Sequence, residues 1–487
     1  MNDAVLVIDE GTTSTRAVLV EADGTFARIA QHPLTTRFPH PGWVEQDAAE
    51  IWQLTLAAAR EAIGDDASRV RAIGITNQRE TVVAWDRVTG QPLAPAIVWQ
   101  DRRTADACAA LRDAGHEAEV QRRTGLLLDP YFSATKMRWL LDNHPALRDA
   151  SDRLCLGTID SWLVFNLSGG AFVTDATNAA RTALMALDGG WDAGLCDLFG
   201  VPAAALPAIV DCAGPIATTD HFGTRLPIAG MAGDQQAAAI GQACLVPGAT
   251  KATYGTGAFI LTHAGPTPPR SAHRLLSTVA WQLAGTRAYA LEGSLFVAGQ
   301  MIGWMRDELG FVGQSRECAA LARSVESTGG VTIVPAFAGL GAPHWRPDAR
   351  GAILGLTLGS GKAELVRAAL EAVANQSAEL QRAFAADGVT WSSLRIDGGM
   401  AANDFLAQDL ADLLGIAVER HANVESTVLG AAMLAAVGAG LQPTLAAAAG
   451  AMRGPAQTFE PTWDEGQRAR RLATWDRAVA SVIAAGD

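Results

Sequence analysis

The stretch VLVIDEGTTSTRAVLV (residues 5–20) decides the fold. Residues 5–8 are apolar, a short polar segment with Gly11 and four hydroxyl residues follows, and residues 17–20 are apolar again, as in a β-hairpin. A similar pattern returns at KATYGTGAFILTHAG (residues 251–265), where a Gly/Thr turn separates two apolar runs. The sequence therefore predicts a duplicated unit, with a ligand cleft where the two turns face each other.

Between and after these hairpins, strand-like and helix-like segments alternate, which predicts an α/β protein with mixed sheets. Residues 48–63 have helical spacing, and the strand-like segments VRAIGITNQ and TVVAWD follow. A boundary near residues 241–247 would divide the chain into domains 1–244 and 245–487. No long linker separates them, so the halves should abut and hinge about short connections.

Composition limits the possible functions. The chain has 487 residues, 49% hydrophobic and 18% charged, which predicts two or three domains with large cores and excludes extended disorder. The formal net charge of -13 disfavours nucleic acid as a partner. Because only three residues are lysines, phosphate contacts are expected to depend on arginine, backbone N–H groups or a metal. The three lysines are Lys136, Lys251 and Lys362.

The spacing of the cysteines and the hydropathy of the chain predict its cellular compartment. The six cysteines are scattered without a Cys-x-x-Cys pair, and the first ten residues lack the basic and long apolar regions of a signal peptide. The apolar run that starts at Ala431 is interrupted by Gln442 and Pro443, which indicates a buried small-residue helix. We therefore expect a cytoplasmic protein without membrane insertion.

Three glycine-containing turns are candidates for phosphate or nucleotide contact. DEGTTSTR (residues 9–16) joins a strand-end carboxylate to backbone N–H groups, hydroxyls and an arginine, although an ordinary hairpin turn has the same composition. TYGTGAF (253–259) has two glycines that permit close approach of the backbone. IDGGMAAND (396–404) leads from a strand into a helix, as a nucleotide contact or as a plain strand-to-helix turn.

Other polar and aromatic residues have two interpretations each. Arg79 and Glu80 in NQRET form either a surface ion pair or part of a site, and Trp99 and Tyr131 are either packing residues or pocket walls. Asp234 precedes a helical pattern, where it is either an N-cap or a carboxylate that accepts a proton from an alcohol attacking a phosphorus atom.

Taken together, these blocks resemble the FGGY family of carbohydrate kinases over residues 5–459, and in particular its members that act on glycerol. The resemblance implies two ribonuclease-H-like (actin-like ATPase) domains with ATP and Mg²⁺ between them. It also implies phosphorylation of glycerol to sn-glycerol 3-phosphate, the first step of glycerol catabolism, by a homodimer or homotetramer. The blocks are DEGTTSTRAV, PGWVEQD, IGITNQRET, AIVWQDRRT, DPYFSATKMRWLLDN, AGMAGDQQAA, TYGTGAF, PAFAGLGAPHW, GAILGLTLGSGKAELVRAALE and IDGGMAAN.

The resemblance also implies roles for individual residues. Asp234 would be the catalytic base and Asp9 would hold Mg²⁺. Domain 1–244 would hold the polyol site and the first phosphate turn, and domain 245–487 would bind the nucleotide. The glycerol site would consist of Arg79, Glu80, Trp99, Tyr131, Asp234, Gln235 and Phe259. The phosphates and the nucleotide would be contacted by Thr12, Thr13, Ser14, Arg16, Thr256, Gly299, Gly399 and Asn403.

Two alternatives stay open, and three positions depart from the family pattern. The chain would otherwise be a kinase of another polyol or sugar, such as erythritol or a ketopentose, or an actin-like nucleotide switch that forms filaments. Glu10 and Gly303 stand where many relatives have glutamine, and we expect both to alter ATP affinity without abolishing catalysis. Phe222 replaces a glycine of the loop with which regulated bacterial members bind fructose 1,6-bisphosphate, so we do not assume that regulation.

Overall fold

The structure is a computed structural model that describes residues 3–346, 348–422 and 425–486. The first half contains thirteen strands and nine helices among these residues. Its strands are β1 (Ala4–Glu10), β2 (Ser14–Glu21), β3 (Phe26–Pro33), β4 (Thr36–Arg37), β5 (Glu45–Gln46), β6 (Val70–Asn77), β7 (Val82–Asp86), β8 (Ala96–Ile97), β9 (Leu154–Thr158), β10 (Val173–Asp175), β11 (Ala208–Val210), β12 (Ala213–Thr219) and β13 (Leu226–Gly233). Its helices are α1 (Ala48–Ile63), α2 (Ala105–Asp113), α3 (Glu117–Thr124), α4 (Ser133–Asn143), α5 (Pro145–Ala150), α6 (Ile159–Ser168), α7 (Ala176–Ala179), α8 (Ala193–Phe199) and α9 (Asp234–Gly241).

The second half also consists of strands and helices that alternate along the chain. Its strands are β14 (Ala249–Tyr254), β15 (Ala258–Gly265), β16 (Leu276–Leu283), β17 (Thr286–Leu295), β18 (Thr332–Val334), β19 (Ala352–Leu354), β20 (Ser393–Asp397), β21 (Val418–His421) and β22 (Ala456–Phe459). Its helices are α10 (Gly299–Asp307), α11 (Cys318–Arg323), α12 (Lys362–Ala386), α13 (Asp404–Leu414), α14 (Ser426–Gly438), α15 (Leu445–Met452) and α16 (Glu465–Gly486).

The two large sheets have corresponding topologies. The first has the order β12-β13-β6-β1-β2-β3 and the second β16-β17-β15-β14-β20-β21-β22. In each sheet an antiparallel hairpin, β1–β2 or β14–β15, is followed by a strand that is parallel to the first strand of that hairpin, β6 or β20. This shared arrangement of three strands confirms the predicted mixed α/β architecture and supports the duplication. The outer strands differ, since β3 pairs with β2 whereas β16 pairs with β17.

The local predictions are confirmed where the pattern is strongly periodic. The hairpin strands β1 and β2 and helix α1 occur where the sequence predicted them, and α1 begins after the N-cap Asp47, whose side chain accepts from the Ala49 N–H. The last helix, α16, packs one face on the second core, where Trp475 and Val479 are buried.

Helix α14 is buried, as the small-residue run predicted, and it packs against the first sheet although it comes late in the chain. It crosses α9 at two glycines: a Cβ on Gly430 would overlap with the Ala237 carbonyl oxygen, and one on Gly241 with the Ser426 carbonyl oxygen. Glycine is therefore required at this crossing because the two helix backbones are in direct contact. No helix within the described residues is both long and apolar enough to cross a membrane.

We expect Gly430→Ala to destabilise the protein by at least about 2 kcal/mol, because the added methyl group overlaps with backbone atoms that cannot move independently. Gly450→Ala is the matched control, since Gly450 lies in helix α15 with no atom within 4 Å of its Cβ position. There alanine should be neutral or stabilise by up to about 1 kcal/mol. Urea denaturation followed by tryptophan fluorescence measures both, and equal stabilities of the two variants would contradict the close crossing.

Candidate active site

Asp234 is the first residue of helix α9, at the end of strand β13. The interpretation of Asp234 as the helix cap is wrong, because Gly233 occupies the N-cap position. The Gly233 N–H donates to Thr177 Oγ1 at 2.9 Å, and the Thr177 hydroxyl donates to Asp175 Oδ1 at 2.5 Å. The start of α9 is therefore fixed by buried hydrogen bonds, while the Asp234 side chain remains 35% exposed.

Arg79 joins this carboxylate to a buried polar cluster. Its Nε lies 3.2 Å from Asp234 Oδ1, its Nη1 donates to Glu292 Oε2 at 2.7 Å, and the guanidinium is only 2% exposed. Partial removal of the Asp234 carboxylate from water raises its pKa, and the charges of Arg79 and Lys251 act in the opposite direction. The Nη2 group makes only long contacts, 3.4 Å to Tyr131 Oη and 3.4 Å to Glu292 Oε1. Nη2 is thus the donor of Arg79 that is least committed within the protein.

Glu80 follows Arg79 in a sharply bent backbone, with a φ of 61°. The bend allows both side chains to enter the same cluster, whereas an extended strand would point them to opposite faces. Glu80 is 1% exposed, and its Oε1 accepts from Arg181 Nε at 2.6 Å. The surface ion pair considered for Arg79 and Glu80 is therefore wrong, because neither side chain reaches the surface.

Strand register places several polar residues of the second half against this cluster. Leu261 on β15 pairs with both Lys251 on β14 and Glu292 on β17, so the three side chains share one face of the second sheet. Phe259, two residues from Leu261, lies on the same face. Lys251 Nζ donates to Gln235 Oε1 at 2.5 Å, which shows that this face meets the start of α9. Burial lowers the pKa of Lys251.

Two aromatic rings border the cluster on the side of the first half. Trp99 and Tyr131 pack edge to face with their ring centroids 5.6 Å apart. Trp99 Nε1 donates to Thr12 Oγ1 at 2.9 Å, which ties this aromatic wall to the first hairpin turn. Burial raises the pKa of Tyr131, so its hydroxyl stays protonated and can donate a hydrogen bond.

The first hairpin turn contains a tight ion pair. Asp9, at the end of β1, accepts from Arg16 Nη2 at 2.6 Å, and Arg16 Nη1 lies 2.6 Å from Glu425 Oε2. Burial raises the pKa of Asp9, although Arg16 acts against this. Thr13 is exposed at the tip of the turn, and Ser14 Oγ accepts from Gln31 at 2.8 Å. In this structure Arg16 is thus held by two carboxylates.

The second hairpin turn lines a cavity of about 610 Å³ in the second half. Gly303 also lines it, and a Cβ at this position would have no neighbour within 4 Å. The Asn403 side chain caps α13 by accepting from the N–H groups of Phe405 and Leu406. The four residues assigned to the nucleotide from the second half are all brought together in this cavity. They are Thr256, Gly299, Gly399 and Asn403.

Glu10 does not face the cleft. Its carboxylate is fully buried on the opposite face of β1 from Asp9, where it accepts from Thr15 Oγ1 at 2.7 Å and Thr55 Oγ1 at 2.9 Å. Burial raises the pKa of Glu10 to about 8. Because Glu10 lies buried among these hydroxyl groups and points away from the face that carries Asp9, we no longer expect it to alter ATP affinity through direct contact.

We expect Glu10→Gln to change how stability depends on pH. Between about pH 4.5 and the raised pKa, folded Glu10 holds a proton that the unfolded chain has lost, so stability falls by up to about 1.4 kcal/mol per pH unit as pH rises. Glutamine does not titrate, so this dependence is absent from the variant. Its free energy of unfolding should therefore rise relative to that of the wild type as pH increases to about 8. Urea denaturation across this range, with exposed Glu308→Gln as the control, measures the difference. Parallel profiles for Glu10→Gln and the wild type would contradict the raised pKa.

Arg181, Lys251 and Glu292 belong to the cluster but were not identified from the sequence as site residues. The small number of lysines favoured arginine for phosphate contacts, and no motif assigned a role to Lys251. A usable signal did exist for Glu292: it stands in the otherwise apolar strand AYALEGSL, where a charged residue needs a partner once the strand is buried. That partner lies in the other half, which the sequence pattern does not indicate.

The model of the FGGY family of carbohydrate kinases, N-terminal domain, matches residues 4–241, and its C-terminal domain matches residues 250–439. The chain is 52% identical to a glycerol kinase of Alcanivorax borkumensis over 98% of both chains. It is 51% identical to that of Xanthobacter autotrophicus, over 98% of this chain and 99% of the relative.

Solved structures give the same picture of the fold. A Plasmodium falciparum glycerol kinase crystallised with ADP matches 99% of this chain and 98% of its own, with a TM-score of 0.95 and 33% identity. A xylulose kinase from Rhodospirillum rubrum matches 99% of both chains with a TM-score of 0.88 and 25% identity. The similarity thus covers both halves of the chain.

Proposed function

The chain belongs to the FGGY family of carbohydrate kinases, and from this premise we propose that it phosphorylates glycerol. It transfers the γ-phosphoryl group of ATP to glycerol and produces sn-glycerol 3-phosphate and ADP, the first step of glycerol catabolism. Glycerol kinases from several bacteria, about half identical over nearly the whole chain, support this activity.

The observation that carries the proposal is the position of Asp234 between two clusters. On one side its carboxylate contacts Arg79, which belongs to a pocket walled by Trp99 and Tyr131. On the other side it stands at the same end of the first sheet as Asp9, because Asp9 on β1 pairs with Thr76 on β6, and Thr76 pairs with Ala232, two residues before Asp234. A hydroxyl held in the pocket would therefore meet a phosphoryl group held at the turns beside this carboxylate.

The pocket suits a small polyol. Arg79 Nη2 and the Tyr131 hydroxyl are donors, the Asp234 carboxylate is an acceptor, and the Trp99 and Phe259 rings offer apolar surface for the carbon chain. Gln235 is held by Lys251 beside this group, and Glu80 is held behind it by Arg181.

In the reaction, Asp234 accepts the proton of the terminal hydroxyl while that oxygen attacks the γ-phosphorus and the bond to ADP breaks. Because the transition state is loose, most of the acceleration comes from positioning and from neutralisation of charge. Thr12, Thr13, Ser14 and the backbone N–H groups of the turns surround the phosphates. Arg16 reaches them when it exchanges Asp9 or Glu425 for a phosphate oxygen.

Mg²⁺ fits the residues at this position. Asp9 and Asp234 supply two carboxylates at the same end of the parallel strands β1 and β13, which both pair with β6. No cluster of three metal-ligating side chains occurs in residues 3–346, 348–422 and 425–486. A Mg²⁺ ion that is held mostly by substrate phosphates needs only one or two protein carboxylates. When bound, it neutralises charge on the phosphates, and Asp9 would hold it, directly or through water.

A coupled assay of ADP release across a panel of polyols and sugars tests the proposal. Glycerol should give the highest kcat/KM, with little ADP released in its absence. A higher kcat/KM for erythritol or a ketopentose would instead identify another substrate of the same family, a reading that the similarity to xylulose kinase makes worth testing. ATP turnover without glycerol, accompanied by polymerisation, would favour the filament alternative.

The remaining assignments belong to the same proposal. Domain 1–244 holds the polyol site and first phosphate turn, and domain 245–487 binds the nucleotide, with Gly399 and Asn403 in its cavity. We assign the enzyme to the cytoplasm, because its six described cysteines are all buried and unpaired. Its assembly as a homodimer or homotetramer follows from the family resemblance and is tested by light scattering.

A further inference from the structure

Glu292 is the one carboxylate of the second half that the described contacts place between Arg79 and Arg181. Its Oε2 accepts from Arg79 Nη1 at 2.7 Å, and its Oε1 accepts from Arg181 Nη2 at 3.1 Å. The side chain is 2% exposed. Burial acts to raise the pKa of Glu292, but Arg181 and Arg79 outweigh it and hold the value at about 2. Glu292 is therefore ionised at every pH at which the protein is expected to work.

Each of these arginines uses its Nε for a residue of the proposed pocket. Arg79 Nε lies 3.2 Å from Asp234, and Arg181 Nε donates to Glu80 at 2.6 Å. Arg79 comes from the bend after β6, and Arg181 follows α7, so neither element fixes the position of the other. A shared carboxylate between the two guanidinium groups fixes both orientations at once.

The network crosses between the two halves of the molecule. Glu292 lies on β17 of the second sheet, whereas both arginines belong to the first half. Arg181 is fully buried, with its guanidinium 5.4 Å from the ring centroid of Tyr131 and 5.2 Å from that of Phe132. If the halves separated, both arginines would lose Glu292, and the pocket residues they orient would lose their support.

We propose that Glu292 is a positioning residue for the polyol pocket, which orients Arg79 and Arg181 from the opposite half and so completes the pocket only when the two halves are together. The proposal rests on the proposed glycerol kinase function and adds a residue to it. Glu292 acts through the arginines and does not touch the reacting atoms. Its removal should therefore impair binding of the polyol more than the chemical step or the binding of ATP.

Glu292→Gln keeps the shape of the side chain and removes its charge. We expect the KM for glycerol to rise about 30- to 100-fold, kcat to fall less than about tenfold and the KM for ATP to change less than about threefold. Glu292→Asp, which retains the charge, should recover part of the glycerol affinity. Arg181→Lys, which keeps a charge but loses the planar fork, should also raise the KM for glycerol.

Glu371→Gln is the matched control. Glu371 on α12 also lies between two arginines, 2.8 Å from Arg367 Nε and 3.8 Å from Arg471 Nε, but it lines a different cavity of the second half. Loss of this carboxylate should lower the thermal stability without changing the KM for glycerol. A merely structural Glu292 would behave in the same way.

An unchanged KM for glycerol in Glu292→Gln would overturn the proposal, as would equal increases in the KM for glycerol and for ATP. If Glu292→Gln does not fold, the glycerol KM of Arg181→Lys decides, and an unchanged value there overturns the proposal. If the wild type turned over no polyol, the proposed function would fail by itself. Calorimetric titration would then still measure the affinity of the wild type and of Glu292→Gln for glycerol, in the presence of a non-hydrolysable ATP analogue. Equal affinities for glycerol would overturn the role of Glu292.

Discussion

Replacing Asp234 with asparagine should lower kcat for glycerol phosphorylation by about 10²- to 10⁴-fold while the protein stays folded. Asparagine has nearly the same shape and can still accept from the Gln235 N–H, which donates to Asp234 Oδ1 at 2.6 Å. It cannot accept the proton of the attacking hydroxyl. Steady-state kinetics at saturating ATP and glycerol measure the loss, and circular dichroism and thermal melting verify the fold.

Asp192→Asn is the control for this change. Asp192 also stands at the start of a helix, caps it through the Leu195 N–H, and pairs with Arg123 at 3.0 Å, but it lies at α8, away from the cleft. The control should lose stability and keep its kcat. Near-normal turnover in Asp234→Asn would exclude Asp234 as the base.

The pH profile gives a second measurement of the same role. A base must be ionised, and burial raises the pKa of Asp234 above the ordinary aspartate value. In the wild type, kcat/KM for glycerol should therefore fall as pH decreases through this raised pKa, and the acid limb should lie above the range of an exposed aspartate. A profile with no acid limb assignable to Asp234 would contradict the assignment.

The parts of the fold that were predictable from the sequence are those specified by local pattern. The hairpin β1–β2 and helix α1 depend on alternation, on turn residues and on the cap at Asp47, all of which lie within a few residues of each other. The repeat of the hairpin motif near residue 251 also indicated the duplication, because it needs only a comparison of two short stretches.

The parts of the site that the sequence did not reveal depend on long-range register. Glu292 and Lys251 share a face because both of their strands pair with β15, and Glu292 contacts Arg79 across 213 positions of the chain. Glu10 shows the converse, that two residues adjacent in sequence can lie on opposite faces of a sheet. It adjoins Asp9 in sequence, yet the pleat of β1 turns its side chain away from the cleft, towards Thr55.

The bend at Glu80 is a third case. From the sequence, Arg79 and Glu80 are predicted to form either a surface ion pair or part of a site, since adjacent residues of a strand point to opposite faces unless a bend intervenes. The positive φ of Glu80 changes this, and the buried partners Arg181 and Glu292 stabilise the resulting arrangement. Such a backbone conformation of a non-glycine residue is fixed by tertiary contacts, so a local pattern could not predict it.

Replacing Arg79 with alanine should reduce kcat/KM for glycerol by about 10³-fold, mainly through a higher KM. The change removes the Nη2 donor, whose contacts within the protein are both 3.4 Å long, and it releases Asp234 from the Nε group. It also leaves Glu292 with Arg181 as its main partner, so some loss of thermal stability is expected as well.

Separate titrations of glycerol and ATP distinguish this role from that of Asp234. In Arg79→Ala the KM for ATP should stay within about threefold of the wild type, whereas Asp234→Asn should affect kcat more than either KM. Arg71→Ala is the control, since Arg71 lies on the same strand, β6, but is 52% exposed and pairs with Asp3. Unchanged KM and kcat for glycerol in Arg79→Ala would remove Arg79 from the pocket. A residue that binds the polyol equally in the ground and transition states affects KM and leaves kcat unaltered. A loss confined to kcat would therefore mean that Arg79 acts on the reacting atoms through Asp234.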